Sequence, residues 1–284
     1  MRYPIDLRFR GLWGREDIIM VKRPWPRLPD ELKNEVELRW NTRVEEMRRD
    51  GITNLASNPM PCAESVLHRD LGDGRLVVIW GMSDFATMFG TTSIRTILPL
   101  QHHHHHIGIS VVTVTSDEKV VIGWRSGKIT YGHMRHVVPG ARAKEFLIHP
   151  YDLMVAEYEK ELGIFPDEIS RLDCIAVIRH LIWGNQNFDF IGYGRVSLTA
   201  KEVQERAAFA QDAYEHERIE VHDWNERLFK SQDIFADARA YEFVPDGRVA
   251  LLLALEHDFG EVCKMPEWEP VYCTLAEYLA GDLK

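Results

Sequence analysis

Two glutamates four residues apart, Glu157 and Glu161, lie in an acidic segment that closes at Gly163-Ile164 and follows a Pro139-Gly140-Ala141 loop. On a helix this spacing puts both carboxylates on one face, where they repel unless a positive charge stands between them. Pro150 and Gly163 are typical boundary residues, so a helix is expected over 150–163. Upstream, residues 107–114 and 120–124 are apolar runs around a Ser116-Asp117-Glu118-Lys119 turn, which predicts a hairpin. Downstream, strands are expected at 172–180 and 187–197, a helix at 199–210 that Thr199 or Ser197 can cap, and a strand at 217–221. The order predicts an α/β (α+β) class, a mixed sheet sandwiched between helices.

The remainder is less regular. Residues 1–30 are rich in Arg, Pro and Trp and predict an extended arm, because proline removes donors and restricts its predecessor. A helix is expected from Asp30 to about Arg49, two strands over 63–82 around Gly72-Asp73-Gly74, and a short helix over 83–90. The run 249–255 is a buried strand or a helix, and periodicity does not choose between them. Residues 222–238 are expected to be partly helical, and 274–284 a short helix. At ~150 residues per domain the length gives two units, or one domain with a large extension: an N-terminal α/β extension over 1–106 and the main domain over 107–284.

Charge and cysteine usage narrow the function classes. The net charge of -10 gives no counterion-release gain on a nucleic-acid backbone, so no nucleic-acid partner is expected. No stretch reaches the ~20 apolar residues of a membrane span, so no membrane partner is expected either. Met1 to Asp6 lack an apolar run behind them, which predicts no signal peptide and a cytoplasmic location. Cys62, Cys174, Cys263 and Cys273 form no CxxC pair and are expected as free thiols.

The chemistry concentrates around the acidic helix. A divalent cation, Mg2+ or Mn2+, would relieve the repulsion of Glu157 and Glu161 and could bridge phosphate oxygens. A glutamate–lysine helix face is more often simply solvated; the loop–helix–Gly-Ile order sets this one apart. Arg125, Arg135, His136 and Arg142 flank the Pro-Gly loop, and guanidinium forks suit phosphate oxygens. The run His102 to His106 leaves three readings open: a transition-metal site, a polar loop, or part of a substrate pocket. The loop 183–188 carries aromatics that either stack on a ligand or pack in the core.

The segment Ala156-Glu157-Tyr158-Glu159-Lys160-Glu161-Leu162-Gly163-Ile164 resembles the second half of the Nudix hydrolase signature. Ala156 stands where that signature has arginine, Lys160 where it has a third glutamate, Ala141 where a second glycine is usual, and Leu147 or Ile148 near an expected upstream glutamate. Residues 80–92, with Trp80-Gly81-Met82-Ser83 and Asp84-Phe85, are similar to a segment of the subgroup that hydrolyses UDP-glucose and UDP-galactose, which has an atypical Nudix box. Trp40 to Arg43, Val196 to Val203 and Asp212 to Glu215 are similar to further segments of it. The resemblance implies metal-dependent cleavage of a nucleoside diphosphate sugar, a small-molecule nucleotide substrate, to nucleoside monophosphate and sugar phosphate. It implies Glu157 and Glu161 as metal ligands and catalytic groups, and Glu215, or its rival Glu217, as a late acidic residue. Ala156 and Lys160 point to the alternative, a catalytically impaired nucleotide-binding or sensor protein.

Overall fold

The computed structural model describes residues 5–25, 28–49, 57–68, 74–93, 104–127, 132–180, 187–225, 228 and 243–260. Its strands are β1 Ile5–Trp13, β2 Ile18–Lys22, β3 Pro59–His68, β4 Leu76–Asp84, β5 His105–Val114, β6 Lys119–Arg125, β7 Arg135–Val137, β8 Gly140–Arg142, β9 Ile169–His180, β10 Phe188–Val196 and β11 His216–Asp223. The helices are α1 Asp30–Arg49, α2 Phe85–Ser93, α3 Pro150–Glu157, α4 Ala200–Ala207 and α5 Pro245–Phe259.

The strands form one sheet with the path β1-β9-β10-β5-β3-β4-β2, with β8 on β5 and β11-β6-β7 branching from β5. The β5–β10 pair is parallel and its neighbours are antiparallel, so the sheet is mixed. Side chains alternate across β5 with period two. Ile107, Ile109 and Val111 join Leu153, Met154, Tyr158, Val203 and Ala207 on the face covered by α3 and α4. Val112 and Val114 join Val249, Leu251 and Leu255 of α5 on the other face. The expected mixed sheet between helices is therefore present.

The N-terminal segment is more than an arm. β1 pairs antiparallel with β9 from Ile5↔His180 to Trp13↔Cys174, and β2 pairs parallel with β4. The division at 106/107 falls inside β5, whose His105 and His106 pair with Ala63 and Cys62 of β3. The apolar run 249–255 is helical, since burial of Val249, Leu251 and Leu255 against the sheet favours a helix that also satisfies its own backbone. α2 begins where Asp84 accepts from the Thr87 amide at 2.8 Å, and Trp40 of α1 packs edge-on against Phe85 and Phe89. The 72–74 turn lies partly outside the described residues, and the expected helices at 222–238 and 274–284 lie largely or wholly outside them. No helix among the described residues is long and apolar enough to cross a bilayer.

The two strands of the expected hairpin stay together only briefly. β5 and β6 pair at Thr113↔Val121 and Val114↔Val120, then part. β8 continues along β5, and β7 along β6. The sheet thus splits, and the loop Val138-Pro139, with a cis peptide bond, joins the two sides of the split. Tyr158 fixes the helix there: Thr113 donates its one hydroxyl proton to the Val138 carbonyl, and its Oγ1 accepts from the Tyr158 hydroxyl at 3.0 Å.

Candidate active site

α3 starts at Pro150 with His149 as its cap, whose Nδ1 accepts from the Tyr151 amide at 3.2 Å. After Glu157 it widens into a π-helical turn, Tyr158–Leu162. Such turns are rare and are frequent at functional sites. Gly163 then takes a left-handed φ of 65°, which a Cβ would disfavour, and its amide and that of Ile164 return to the Glu159 and Tyr158 carbonyls at 3.0 and 3.1 Å.

The two predicted metal ligands have different partners. Glu161 is buried at the split of the sheet. Its Oε1 accepts from the Gly140 amide at 3.0 Å, and its Oε2 meets His216 Nε2 at 2.9 Å. Glu157 is also buried, but its Oε1 accepts from two ammonium groups, Lys160 Nζ at 2.6 Å and Lys144 Nζ at 3.1 Å. Burial works against the charge on Lys144, yet the Glu157 carboxylate, by charge and hydrogen bond, holds its pKa above the ordinary lysine value. Lys160 is therefore not a bystander on a solvated face.

Around Glu161 the chain gathers Arg125, Arg142 and Glu215. Burial pulls the Arg125 guanidinium down; Asp246, Glu161 and Glu215 oppose that, and Arg142 adds to it. Burial raises the Glu215 carboxyl, the charge on Glu161 raises it further, and Arg125 counters. Arg125 senses the charges of Glu161, Glu215 and Arg142, so four of the seven predicted side chains share one neighbourhood. Its further members, His216 and Asp246, come from β11 and the first turn of α5, and no local motif marks either one. Lys144, the partner of Glu157, is equally silent in the sequence.

Arg135 and His136 are placed differently. Arg135 donates through Nε to Glu220 at 2.8 Å and lies 4.6 Å over the Trp124 ring, and its carbonyl accepts from the Val244 amide. That is a bracing role for β7, β11 and the start of α5. His136 is buried, with Nδ1 at 2.5 Å from the Val137 carbonyl and Nε2 at 3.5 Å from Asp246, so it touches the neighbourhood through Asp246. Glu217 pairs with His133 at 2.9 Å.

The histidine run is partly described. His104 stacks on Trp25 with ring centroids 4.2 Å apart, His105 meets Arg179 at 3.1 Å, and His106 is buried in β5. His102 and His103 lie outside the described residues, as does 181–186, while Phe188 and Phe190 pack in the core. Cys62 and Cys174 are free, and burial pushes both thiols up to about 12; Cys263 and Cys273 lie outside the described residues.

Among the described residues no group of three or more His, Cys, Asp or Glu side chains is placed to hold a metal by itself. Mg2+ is commonly held by one or two carboxylates, with substrate phosphates and water completing its shell, and Mn2+ accepts the same hard oxygens. Glu161 beside Glu215 meets that requirement; Glu157, with two ammonium groups on one oxygen, does not.

No family model and no curated protein matches the chain. Among solved structures, DR0079 from Deinococcus radiodurans aligns at 16% identity and a TM-score of 0.38, over 52% of this chain and 80% of that one. A bifunctional NMN adenylyltransferase/ADP ribose pyrophosphatase from Francisella tularensis, complexed with AMP and a Mn ion, aligns at 8% identity and a TM-score of 0.37, over 54% of this chain and 42% of that one. Both likenesses are partial.

Proposed function

We propose that this chain is a Nudix-type hydrolase that cleaves the diphosphate of a nucleoside diphosphate-linked substrate, a UDP-sugar, to nucleoside monophosphate and sugar phosphate in the cytoplasm. The observation that carries this reading is Glu161, buried and gripped through both oxygens, with Arg125 and Glu215 within its field and Arg142 beside Arg125. Arg125 and Arg142 would bind the phosphate oxygens with their forks. Gly140 and His216 would orient the Glu161 carboxylate before substrate arrives. Glu215, with its raised proton affinity, suits the proton shed by an attacking water. Mg2+ or Mn2+ would be held by Glu161 with Glu215 beside it, and would supply Lewis-acid chemistry there.

One observation favours a second reading. The double lysine contact of Glu157 supplies a resident positive charge, as a binding or sensor protein without turnover would use. Phosphatase-coupled phosphate release from UDP-glucose and related nucleotides, with Mg2+ or Mn2+, separates the two. Turnover that falls about 100-fold or more in Glu161→Gln supports the hydrolase. Binding of a nucleotide with no turnover of any compound supports the sensor and removes the hydrolase.

A further inference from the structure

The Glu157 side chain is only 3% exposed, yet one of its oxygens, Oε1, takes two ammonium groups, Lys160 Nζ at 2.6 Å and Lys144 Nζ at 3.1 Å. One cation neutralises one carboxylate, so the second is surplus to that ion pair. Both nitrogens lie against the same atom and therefore against each other. They are not sealed in: the side chains of Lys144 and Lys160 are 57% and 26% exposed. An ammonium carries three donors. Among the described residues, Glu157 is the one hydrogen-bond acceptor that either ammonium meets. The remaining donors are left for solvent or a ligand. The buried carboxylate is thus the base of a solvent-facing cluster, with Asp212 adding its charge at the rim.

Three elements join this cluster to the candidate active site. On the helix, Glu157 and Glu161 are one turn apart. On the strand, the Ala143 amide donates to the Ile107 carbonyl at 2.8 Å and so continues the β5–β8 ladder. Arg142 and Lys144 therefore stand two positions apart on extended chain, about 7 Å. The short turn Ala213–Glu215 spans both ends. Its Glu215 carboxyl senses the charge of Glu161, and its Tyr214 hydroxyl senses that of Lys144. The Asp212 amide at the start of the turn ties it to the helix through the Lys160 carbonyl, at 2.8 Å. Helix, strand and turn thus each run from the lysine pair to the surroundings of Glu161.

We propose that Lys144 and Lys160, held together by Glu157, form a clamp for one phosphoryl group of the substrate diphosphate, with Arg142 on the other. The inference rests on the diphosphate reading of this site and adds the residues that take the second phosphoryl group. Ammonium groups bind phosphate oxygens as compact point charges, without the planar match that a guanidinium fork makes. Glu157 stands between the two like charges and offsets their repulsion. It also keeps Lys144 charged against burial. On this reading Glu157 serves the substrate through the lysines and does not hold the metal, which agrees with its two cationic partners.

The test is calorimetric binding, with Mg2+, of a non-hydrolysable probe, the methylene-bridged analogue of UDP-glucose, across a salt series. Lys144→Met is expected to weaken the probe about tenfold or more, as the loss of one charge-assisted hydrogen bond does, and to flatten the fall of affinity with salt. Lys144→Arg, which keeps the charge, is expected to recover most of the loss. Mn2+ binding without nucleotide, read by electron paramagnetic resonance, is expected to be unchanged in both variants, since neither alters Glu161 or Glu215. If Lys144→Met binds the probe as the wild type does, or loses Mn2+ in step with the probe, the clamp is overturned and the pair only braces Glu157. If the wild type does not bind the probe, the function proposed above falls, and the clamp with it. If it binds the probe through Lys144 but turns over no nucleotide, the hydrolase falls and the clamp stands. Lys144→Met leaves Lys160 on Glu157, and Lys144→Gln, which keeps a donor without the charge, stands in should it fail to fold.

Discussion

Glu157 and Glu161 look equivalent in the sequence, being two acids at helical spacing, and the tertiary structure gives them different partners. Glu161 meets one backbone amide and one imidazole, whereas Glu157 meets two ammonium groups. The difference arises because Lys160 lies one helical step from Glu157 and because the segment after β8 brings Lys144 over it. A buried carboxylate that loses a cationic partner keeps its desolvation cost, while a lysine that loses its carboxylate can turn to solvent. Lys160→Met is therefore expected to lower stability by about 1–3 kcal/mol, and Glu157→Gln by less, in urea unfolding. Glu157→Gln is also expected to retain turnover within several-fold where Glu161→Gln does not. Equal loss of activity in both variants would return Glu157 to the set of groups that hold the metal. Glu157 and Glu161 were picked out by their helical spacing, and Arg125 and Arg142 by their places around the Pro-Gly loop. His216, Asp246 and Lys144 were not, because each reaches the site from a separate segment.

At the scale of elements, boundaries set by caps and turns were legible, and those set by packing were not. Pro150, Gly163, Thr199 and Asp84 mark helix ends, and the structure places them there. The run 249–255 was ambiguous because it is apolar all round, and only its position over the sheet makes it α5. The last turn of α5 carries Asp258, an acidic residue at the end where the helix dipole disfavours it. Three donors offset that: Tyr193 OH at 2.5 Å, Trp224 Nε1 at 2.7 Å and Arg195 Nη2 at 3.0 Å, all to Oδ2. Burial opposes the charge, but these hydrogen bonds prevail and hold the Asp258 carboxyl below its ordinary value. A depressed folded pKa gives stability that is present above the unfolded value of about 3.9 and is lost as pH falls through the folded value. Asp258→Asn is expected to cost about 1–3 kcal/mol at pH 7, and the gap to the wild type is expected to close in acid unfolding series below about pH 4. A gap that stays constant into acid would remove the charged clamp from the account.

At the scale of the whole molecule, residues that are distant in the chain complete one sheet. β1, from the first residues described, covers the edge of β9, with Ile5 fully buried and Trp13 nearly so. An uncovered strand edge is a template for pairing with other chains. Deletion of residues 1–14 is expected to give oligomers or aggregates in size-exclusion chromatography with light scattering, at concentrations where the full chain elutes as one species. An unchanged elution profile would mean that β1 is dispensable to the sheet.

The sequence by itself determined the α/β class and the placement of most strands and helices, and it offered Glu157, Glu161, Glu215, Arg125, Arg135, His136 and Arg142 as candidate site residues. It could do so because periodicity, caps and turn residues act within a few positions of the chain. The tertiary structure decided the rest: that residues 5–13 join the sheet instead of standing off it, that Glu157 is neutralised by Lys144 and Lys160, and that His216 and Asp246 enter the site. These are outcomes of which segments meet across the sheet, and burial and charge there depend on contacts between residues far apart in sequence.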